Sequence, residues 1–464
     1  MEKNEIYDEL LKEEKRLSVS DFKYKDIELW RLFRFECRGK YVQKYCPEYS
    51  KTTRRVSIIG LACFKLYLLL KSFIQLLYLL LRKKKVSNVV FAFPRLQLFN
   101  DKWTIDKFTD PVIDGSLLSK DGLILQQSGR IWYFGKQRYQ SQRVVQIDCI
   151  RVIANLCSLF LLLLFPIVAV TKNIYLLWMR VRETFGLSWH VLLKWYYLYH
   201  SFIIQAFLYR YLFKRISCRN IFVVNRLINI SRIYAAHKLG ILVYEFQHGV
   251  THGESELYSG EFNTLLDPDY FLNFSKIWRG TQFGMPLDRQ ICIGWGYRKF
   301  VEQAVQNDKF SSNTVLVISS PEITEKVINT IIELAQNNVD VSFHIRCHPQ
   351  ETISDTLKIT LKGYTNIKIA DNSIDSCIAL SSYQHVLGEN SSVLYEALDM
   401  EKNVGRFSYN GFTPFRTSDK MEDAFFYLYD SKDLLVFLHR NKPIIKQKNY
   451  EDFDSQVFNE LISK

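Results

Sequence analysis

Between residues 310 and 410, short apolar runs alternate with helical patterns of about ten residues. A shorter stretch of the same rhythm occupies 220–250. This alternation constrains the fold more than any other feature, because parallel strands are joined through crossover connections that are usually helices. The strand patterns fall at 314–319, 341–346, 366–370, 385–388 and 403–407, with helical patterns at 322–337, 354–361, 374–381 and 391–399. Upstream, strand 220–224 leads into helix 226–239, which Gly240 stops, and strand 241–246 follows. An earlier run, 88–93, reads as a first strand entering a loop at Pro94-Arg95. Strands separated by helices in this way predict parallel sheets built from right-handed βαβ units. The expected architecture is α/β, with two facing Rossmann-like domains and a helical, membrane-facing N-terminal elaboration. The expected segments are 1–85, helical and basic; 86–308, a Rossmann-like domain; 309–420, a second such domain; and 421–464, helices returning to the first domain. Ligands of such domains bind outside the carboxyl ends of the strands.

Charge is distributed unevenly. The net is +13, from 61 Lys+Arg against 48 Asp+Glu. Residues 1–250 hold 40 basic and 19 acidic side chains, whereas 251–464 hold 21 and 29. Residues 51–100 contain ten basic side chains and no acidic one. A basic half attracts polyanions, either an anionic leaflet or nucleic acid. The chain shows no zinc-ligand spacing and no RNP-like strand, so a nucleic-acid partner is not expected. With 48% hydrophobic and 23% charged residues, the composition excludes a disordered or collagen-like chain.

Two apolar segments stand inside the basic half. Residues 57–81 carry only Lys65 and Lys71 as charges and run into Arg82-Lys83-Lys84-Lys85, while 152–170 carry none. Lysines near the centre of the first disfavour a span, and Asn155 and Pro166 weaken the second. Two readings stay open: helices lying in a lipid interface with lysines snorkelling to headgroups, or helices of a core. Residues 189–215 form a further aromatic-rich helical pattern, where His190 and His200 read as packing or surface residues. Nine cysteines without a C-x-x-C pair fit free thiols. The charged, polar N-terminus fits no secretory signal, so a cytoplasmic protein, peripheral on the inner face of the cell membrane, is expected.

Polar residues gather where the strand patterns end. Gln247-His248-Gly249 follows 241–246, with His252 and Glu254 close behind. Histidine takes a proton near neutral pH, and glycine lets a substrate approach the backbone, so His248, His252 and Glu254 are candidate catalytic residues. Arg346-Cys347-His348-Pro349 ends the run 341–346, and proline biases His348 toward an extended backbone. Gly388-Glu389-Asn390-Ser391-Ser392 joins a strand to a helix. Asn390 or Ser391 can cap that helix and leave an anion site at its start. Glu396 lies one turn further on. Arg346, His348, Ser391, Ser392 and Glu396 are therefore candidate nucleotide- and phosphate-binding residues.

A strand ending in Gln-His-Gly, then one ending in His-Pro, then Ser-Ser-x-x-Tyr-Glu-Ala-Leu, resembles the GT-B glycosyltransferases of bacterial capsule and surface-polysaccharide assembly. It is also similar to the polysaccharide sialyltransferases and to the teichoic acid glycerophosphotransferases. The resemblance covers roughly 86–410. It implies a nucleotide-sugar donor in the second domain and a glycan or lipid-linked acceptor facing the first. It further implies His348 on the donor phosphate, Ser391 and Ser392 cradling it, Glu396 on the ribose and His248 as base or orienting residue. Residues 1–85 and the apolar segment at 152–170 depart from a simple Rossmann unit. Alternative activities on the same fold are a nucleotide-sugar epimerase, a polyol-phosphate transferase and a non-catalytic scaffold. No metal cofactor is expected: Asp267-Pro268-Asp269 is formally D-x-D, but its proline makes it a turn before a strand, and no P-loop is present. Gly294-Trp295-Gly296-Tyr297 and Tyr409-Asn410-Gly411-Phe412 are either aromatic platforms of a cleft or hinge turns.

Overall fold

A computed structural model of the 464-residue chain describes residues 3–45, 58–82, 85–99, 103–127, 136–164, 170–249, 260–280, 284–304, 309–320, 323–348, 351, 353–372, 374–389, 391–412, 422–440 and 448–463. His252, Glu254, Asn390, Pro349 and Pro166 lie outside the described residues.

Two parallel sheets dominate. In the first, the strands run side by side in the order Gln290–Cys292, Tyr270–Asn273, Leu242–Phe246, Asn220–Val224, Asn88–Phe91, Leu123–Gln126, Val144–Gln146. In the second the order is Ile367–Ile369, Ser342–Arg346, Thr314–Ile318, His385–Gly388, Asn403–Phe407, Phe426–Leu428. Every pairing in both is parallel. Each sheet starts at its centre, winds outward to one edge, then returns to fill the other side. This is the Rossmann order, and each sheet has one point where the winding reverses. The protein is thus a two-domain α/β chain of GT-B type.

Burial explains which strands are visible in sequence. Asn220–Val224, Thr314–Ile318 and Asn403–Phe407 are buried at every position, as expected for strands covered on both faces. Leu123–Gln126, also buried throughout, escapes sequence reading because four residues after Gly122 offer neither alternation nor length. Val144–Gln146 and Gln290–Cys292 are three-residue strands and escape for the same reason. The first strand ends at Phe91, two residues before its expected limit. The apolar stretch at 152–170 is not one helix: Asp148–Leu162 is helical, and a separate helix, Val170–Phe185, follows. The stretch after Met421, expected to be helical, supplies strand Phe426–Leu428, whose aromatic residues suit a pleated edge.

The N-terminal helices share one core with the first sheet. Leu10, Phe33 and Trp195 belong to the same buried cluster as Val89, Leu125 and Ile221. Phe33 stacks on Trp195 at 4.5 Å, which fixes helix Leu29–Tyr45 against the 28-residue helix Trp189–Ile216. His200 is buried among Tyr196 and Tyr199, a packing position.

The chain also returns from the second domain to the first. Phe458, on helix Ser455–Ser463, packs on Phe222 at 5.8 Å and Phe246 at 6.1 Å. Ahead of it, Trp295 N–H donates to the Glu451 carbonyl (2.8 Å) and Glu451 N–H to the Phe274 carbonyl (3.0 Å). Gly294 makes this possible: its φ is +75°, and a Cβ there would sit 2.0 Å from the Asp452 carbonyl oxygen. Gly294-Trp295-Gly296-Tyr297 is therefore a packing turn with Trp295 and Tyr297 buried. Tyr409-Asn410-Gly411-Phe412 is a turn held to helix Thr324–Asn337 by the Asn410 amide on Glu333 (2.8 Å). Gly294→Ala is expected to cost about 3 kcal/mol or more, since strain and a backbone clash coincide. Gly186, with φ +61° and nothing near its missing Cβ, should cost only about 1–2 kcal/mol as alanine. Urea unfolding of the two variants checks the contrast; equal losses would refute the close approach at Gly294.

Candidate functional site

The reversal points of both sheets open onto one cleft of about 830 Å³. From the first sheet, Phe93, Pro94 and Arg95 follow strand Asn88–Phe91, and Asn225 follows the adjacent strand Asn220–Val224. From the second, Ser319 follows Thr314–Ile318, and Ser391 and Ser392 follow the adjacent His385–Gly388. His248 and His348 enter from the next strand of each sheet. His248, His348, Ser391 and Ser392 therefore share a single crevice.

Each corner is held by its neighbours. Gln247 is fully buried; its Nε2 donates to the Gly249 carbonyl (2.8 Å), and its Oε1 accepts from Phe274 N–H (2.9 Å). That pins the turn carrying His248, whose ring lies 5.6 Å from Phe93 and 6.2 Å from Phe108. Burial first, then the positive charges of Arg95 and Arg226, push the His248 imidazole down to about 4. A ring with that value is neutral at physiological pH and, without a neighbouring anion, a weaker base than an ordinary imidazole.

Glu351 organises the second-sheet side. Its Oε1 accepts from Ser319 Oγ and its Oε2 from the His348 N–H, both at 2.6 Å, so two strand ends are tied to one carboxylate. Arg346, 9% exposed, donates to the Asp371 carbonyl at 2.9 Å and to the Ile374 carbonyl. It lines the cleft, yet its visible bonds position the loop that brings Asn372 and Ser376 there. Ser391 caps helix Ser392–Asp399, its Oγ accepting from Val393 N–H at 3.3 Å. The start of that helix faces the cleft, a setting favourable to an anion.

Glu396 is placed differently from its expected position. It does not line the cleft; its carboxylate, 3% exposed, pairs with Lys107 of the first domain at 3.2 Å and accepts from Cys377 Sγ at 2.9 Å. Burial opposes the charge on Lys107, but Glu396, with Asp375 nearby, outweighs it and holds the ammonium above its ordinary value. The Cys377 thiol is pushed well up by burial and then by Glu396 and Asp375, so it stays protonated.

Several lining residues escape sequence reading. Lys107 and Arg95 sit on first-domain loops with no motif around them. Arg31, Leu32 and Phe35 come from helix Leu29–Tyr45, far upstream of either Rossmann unit. Arg31 pairs with Asp267 at 3.0 Å, and Asp267 also meets Arg226 at 3.2 Å. Asp269 accepts from Val243 N–H (2.8 Å), so both carboxylates of the Asp-Pro-Asp turn serve the scaffold. Asn225 carries the one local signal available after the fact: a non-glycine residue at φ +67°, ψ +98°, placed at the reversal point. Among the described residues the cleft is lined by Arg31, Arg95, Lys107 and Arg346 against one acid, Asp375. Beside Arg31 and Asn225, the side chains of Leu32, Phe35, Leu227 and Ile228 add an apolar patch to the first-domain wall. No three His, Cys, Asp or Glu side chains among the described residues gather as metal ligands would.

No family model and no curated protein matches the sequence. Solved structures do resemble the fold. The UDP-GlcNAc 2-epimerase from Methanocaldococcus jannaschii is 12% identical, with 82% of this chain and 98% of that one covered and a TM-score of 0.47. MnaA of S. aureus with UDP is 9% identical, covering 82% and 95%, at 0.47. The wall teichoic acid polymerase TagF is 11% identical, covering 82% and 83%, at 0.40.

Two measurements probe this geometry. In a pH titration followed by NMR, the His248 ring resonance is expected to have its midpoint near 4; a midpoint at or above 6.5 would remove it as a desolvated base. Because the folded value is lowered, unfolding takes up a proton below about 6.5, so this histidine weakens the fold as pH falls from 6.5 toward 4. Lys107→Met leaves Glu396 buried without its ammonium, and urea unfolding is expected to register a loss of about 3–5 kcal/mol. Adding Glu396→Leu should restore much of it.

Proposed function

We propose that the chain is a GT-B-type glycosyltransferase. It moves a sugar from a nucleotide-activated donor, bound by the second domain, to a hydroxyl of a glycan or lipid-linked acceptor against the first. The observation that carries this reading is the convergence of His248 from one sheet with His348, Ser391 and Ser392 from the other on one cleft. A neutral imidazole and an anion-favouring helix start are the two groups the reaction needs on opposite sides of the sugar. His248 takes the proton of the acceptor hydroxyl as its oxygen bonds to the anomeric carbon. The bond from that carbon to the donor phosphate oxygen breaks, and the nucleotide leaves with the electron pair. His348, the helix start at Ser391-Ser392 and Arg95 meet the charge that develops there. His252 and Glu254 are alternative bases. A ribose contact through Glu396 requires Lys107 to release it.

The apolar patch at Leu32, Phe35 and Ile228 supports an acceptor partner, since a reaction confined to a sugar nucleotide leaves that patch without a role. The nucleotide sugar is a co-substrate, and no metal cofactor is assigned. Synthesis of a capsule or other surface polysaccharide at the cytoplasmic face of the membrane is the setting proposed.

Thermal-shift screening of CMP, CDP, UDP, GDP and their sugars is expected to single out one base by a rise in melting temperature. His348→Ala should weaken that nucleotide about tenfold or more. His248→Ala should retain the shift while transfer falls about 100-fold or more. Transfer should persist in excess chelator. Turnover of a sugar nucleotide without acceptor would instead identify an epimerase, and absence of any shift would refute nucleotide binding.

A further inference from the structure

Helix Ile58–Leu81 reverses the usual pattern of a surface helix. Leu68, Ser72, Leu76 and Leu79 are buried and fall on one side, packed toward the protein. The opposite side should then be polar. Instead, at 100° per residue, Leu66, Leu70, Phe73, Ile74, Leu77 and Leu81 fall in an outward arc of roughly 100°, each 46–69% exposed. Helix Asp148–Leu162, packed beside it, continues the surface through Leu156, Leu159, Phe160 and, just beyond its end, Leu163, each 53–77% exposed. Among the described helices, Ala62–Leu81 alone has the length and mean hydropathy, 1.6, of a membrane span, and only 22% of it is buried.

We infer that these two helices form a docking surface for an anionic lipid bilayer, on which they lie rather than span. Ser72 Oγ, accepting from Cys149 N–H (2.9 Å), ties the two helices together; Gln75 Oε1, accepting from Gln146 N–H (2.8 Å), fixes the first to the sheet, and Asn155 Oδ1, accepting from Ser201 Oγ (2.9 Å), fixes the second to helix Trp189–Ile216. A helix anchored along its side is not available to cross a membrane. Charge selects the partner: residues 51–100 hold ten basic and no acidic side chains. Tyr67 and Tyr78 stand just past one margin of the arc, and Lys71 and Arg82, further round, lie over their rings at 5.9 Å and 4.3 Å. Tyrosines and long cations at the border of an apolar strip suit the headgroup layer. A protein partner would need acidic groups to match.

The surface also has a defined place relative to the cleft. Arg215 Nε donates to the Leu80 carbonyl, and Val86 N–H to the Ile216 carbonyl, so the C-terminal end of helix Ile58–Leu81 lies by the amino ends of the strands. Ser72 and Gln75 meet the carboxyl end of edge strand Val144–Gln146. Residues 58–71 therefore extend about 20 Å beyond the strand ends, on the side where the cleft opens. A bilayer on this face would present its headgroups beside the cleft. The docking surface stands whether or not the transferase reading does.

The test is sedimentation with vesicles of phosphatidylcholine alone or with one third phosphatidylglycerol, using wild type and the double variant Phe73→Glu/Leu163→Glu. Wild type is expected to bind the anionic vesicles at least tenfold more tightly than the neutral ones, and the variant to lose at least tenfold. Both side chains are exposed, so the melting temperature should hold. If it does not, a fluorophore on the exposed Cys63, in a Cys46→Ser/Cys157→Ser background that removes the other exposed thiol at Cys157, decides: lipids brominated in the acyl chain should quench it. No binding, binding untouched by the variant in a folded protein, or an unquenched label would each overturn the proposal. So would a dimer in buffer that the same variant disperses without any vesicle binding.

Discussion

The buried ion pair between Lys107, which lines the cleft, and Glu396 behind it joins the two domains. It sits midway along helix Ser392–Asp399, and both ends of that helix have further duties. Its first turn, behind the cap at Ser391, faces the cleft. Its last residue, Asp399, accepts from the Asn449 N–H and side chain at 2.8 Å each and from Tyr450 N–H at 2.6 Å. Burial raises the Asp399 carboxyl to about 6 against the pull of those donors. Through Asp399 the returning segment 448–451 is held, and through that segment the first sheet. Eight residues thus connect an anion-favouring helix start, an ion pair between domains and the strap that closes the molecule. This helix therefore couples its cleft-facing start to the contact between the domains.

The two walls of the cleft differ because they are built differently. Strand ends of the second sheet supply serines, a histidine and an arginine whose bonds are mostly to backbone. The opposite wall receives a helix from far upstream, Leu29–Tyr45, whose exposed Phe35 faces the cavity. That helix is placed by aromatic stacking on Trp195 and by the Arg31–Asp267 ion pair, contacts far from it in sequence. The first domain has thereby acquired an apolar face beside a polar catalytic corner.

Much of this was legible in the residues alone, and the reasons are specific. Strands such as 220–224 (NIFVV) and 314–318 (TVLVI) announce themselves because parallel strands buried on both faces read as nearly continuous apolar runs between helices. His248, His348, Ser391 and Ser392 are visible because polar residues at strand ends mark the carboxyl edge. Lys107 is not visible: its significance comes from a partner 289 positions away, and nothing local distinguishes it from a surface lysine. Glu396 shows the opposite limit. Its motif is readable, but the side chain's direction depends on that distant lysine. The three-residue strands and the contribution of Arg31 and Phe35 were hidden because tertiary packing, not local pattern, creates them.

The position of helix Ser455–Ser463 bears on the order of assembly. The first sheet buries Phe222 and Phe246 beneath Phe458 of that helix, which leaves the ribosome only after the whole second domain. Until then an aromatic face of the first sheet stays uncovered while the second sheet is able to close on its own residues. The half begun earlier is therefore the half completed later, and slow emergence of the chain leaves it open to sticking or to chaperone capture.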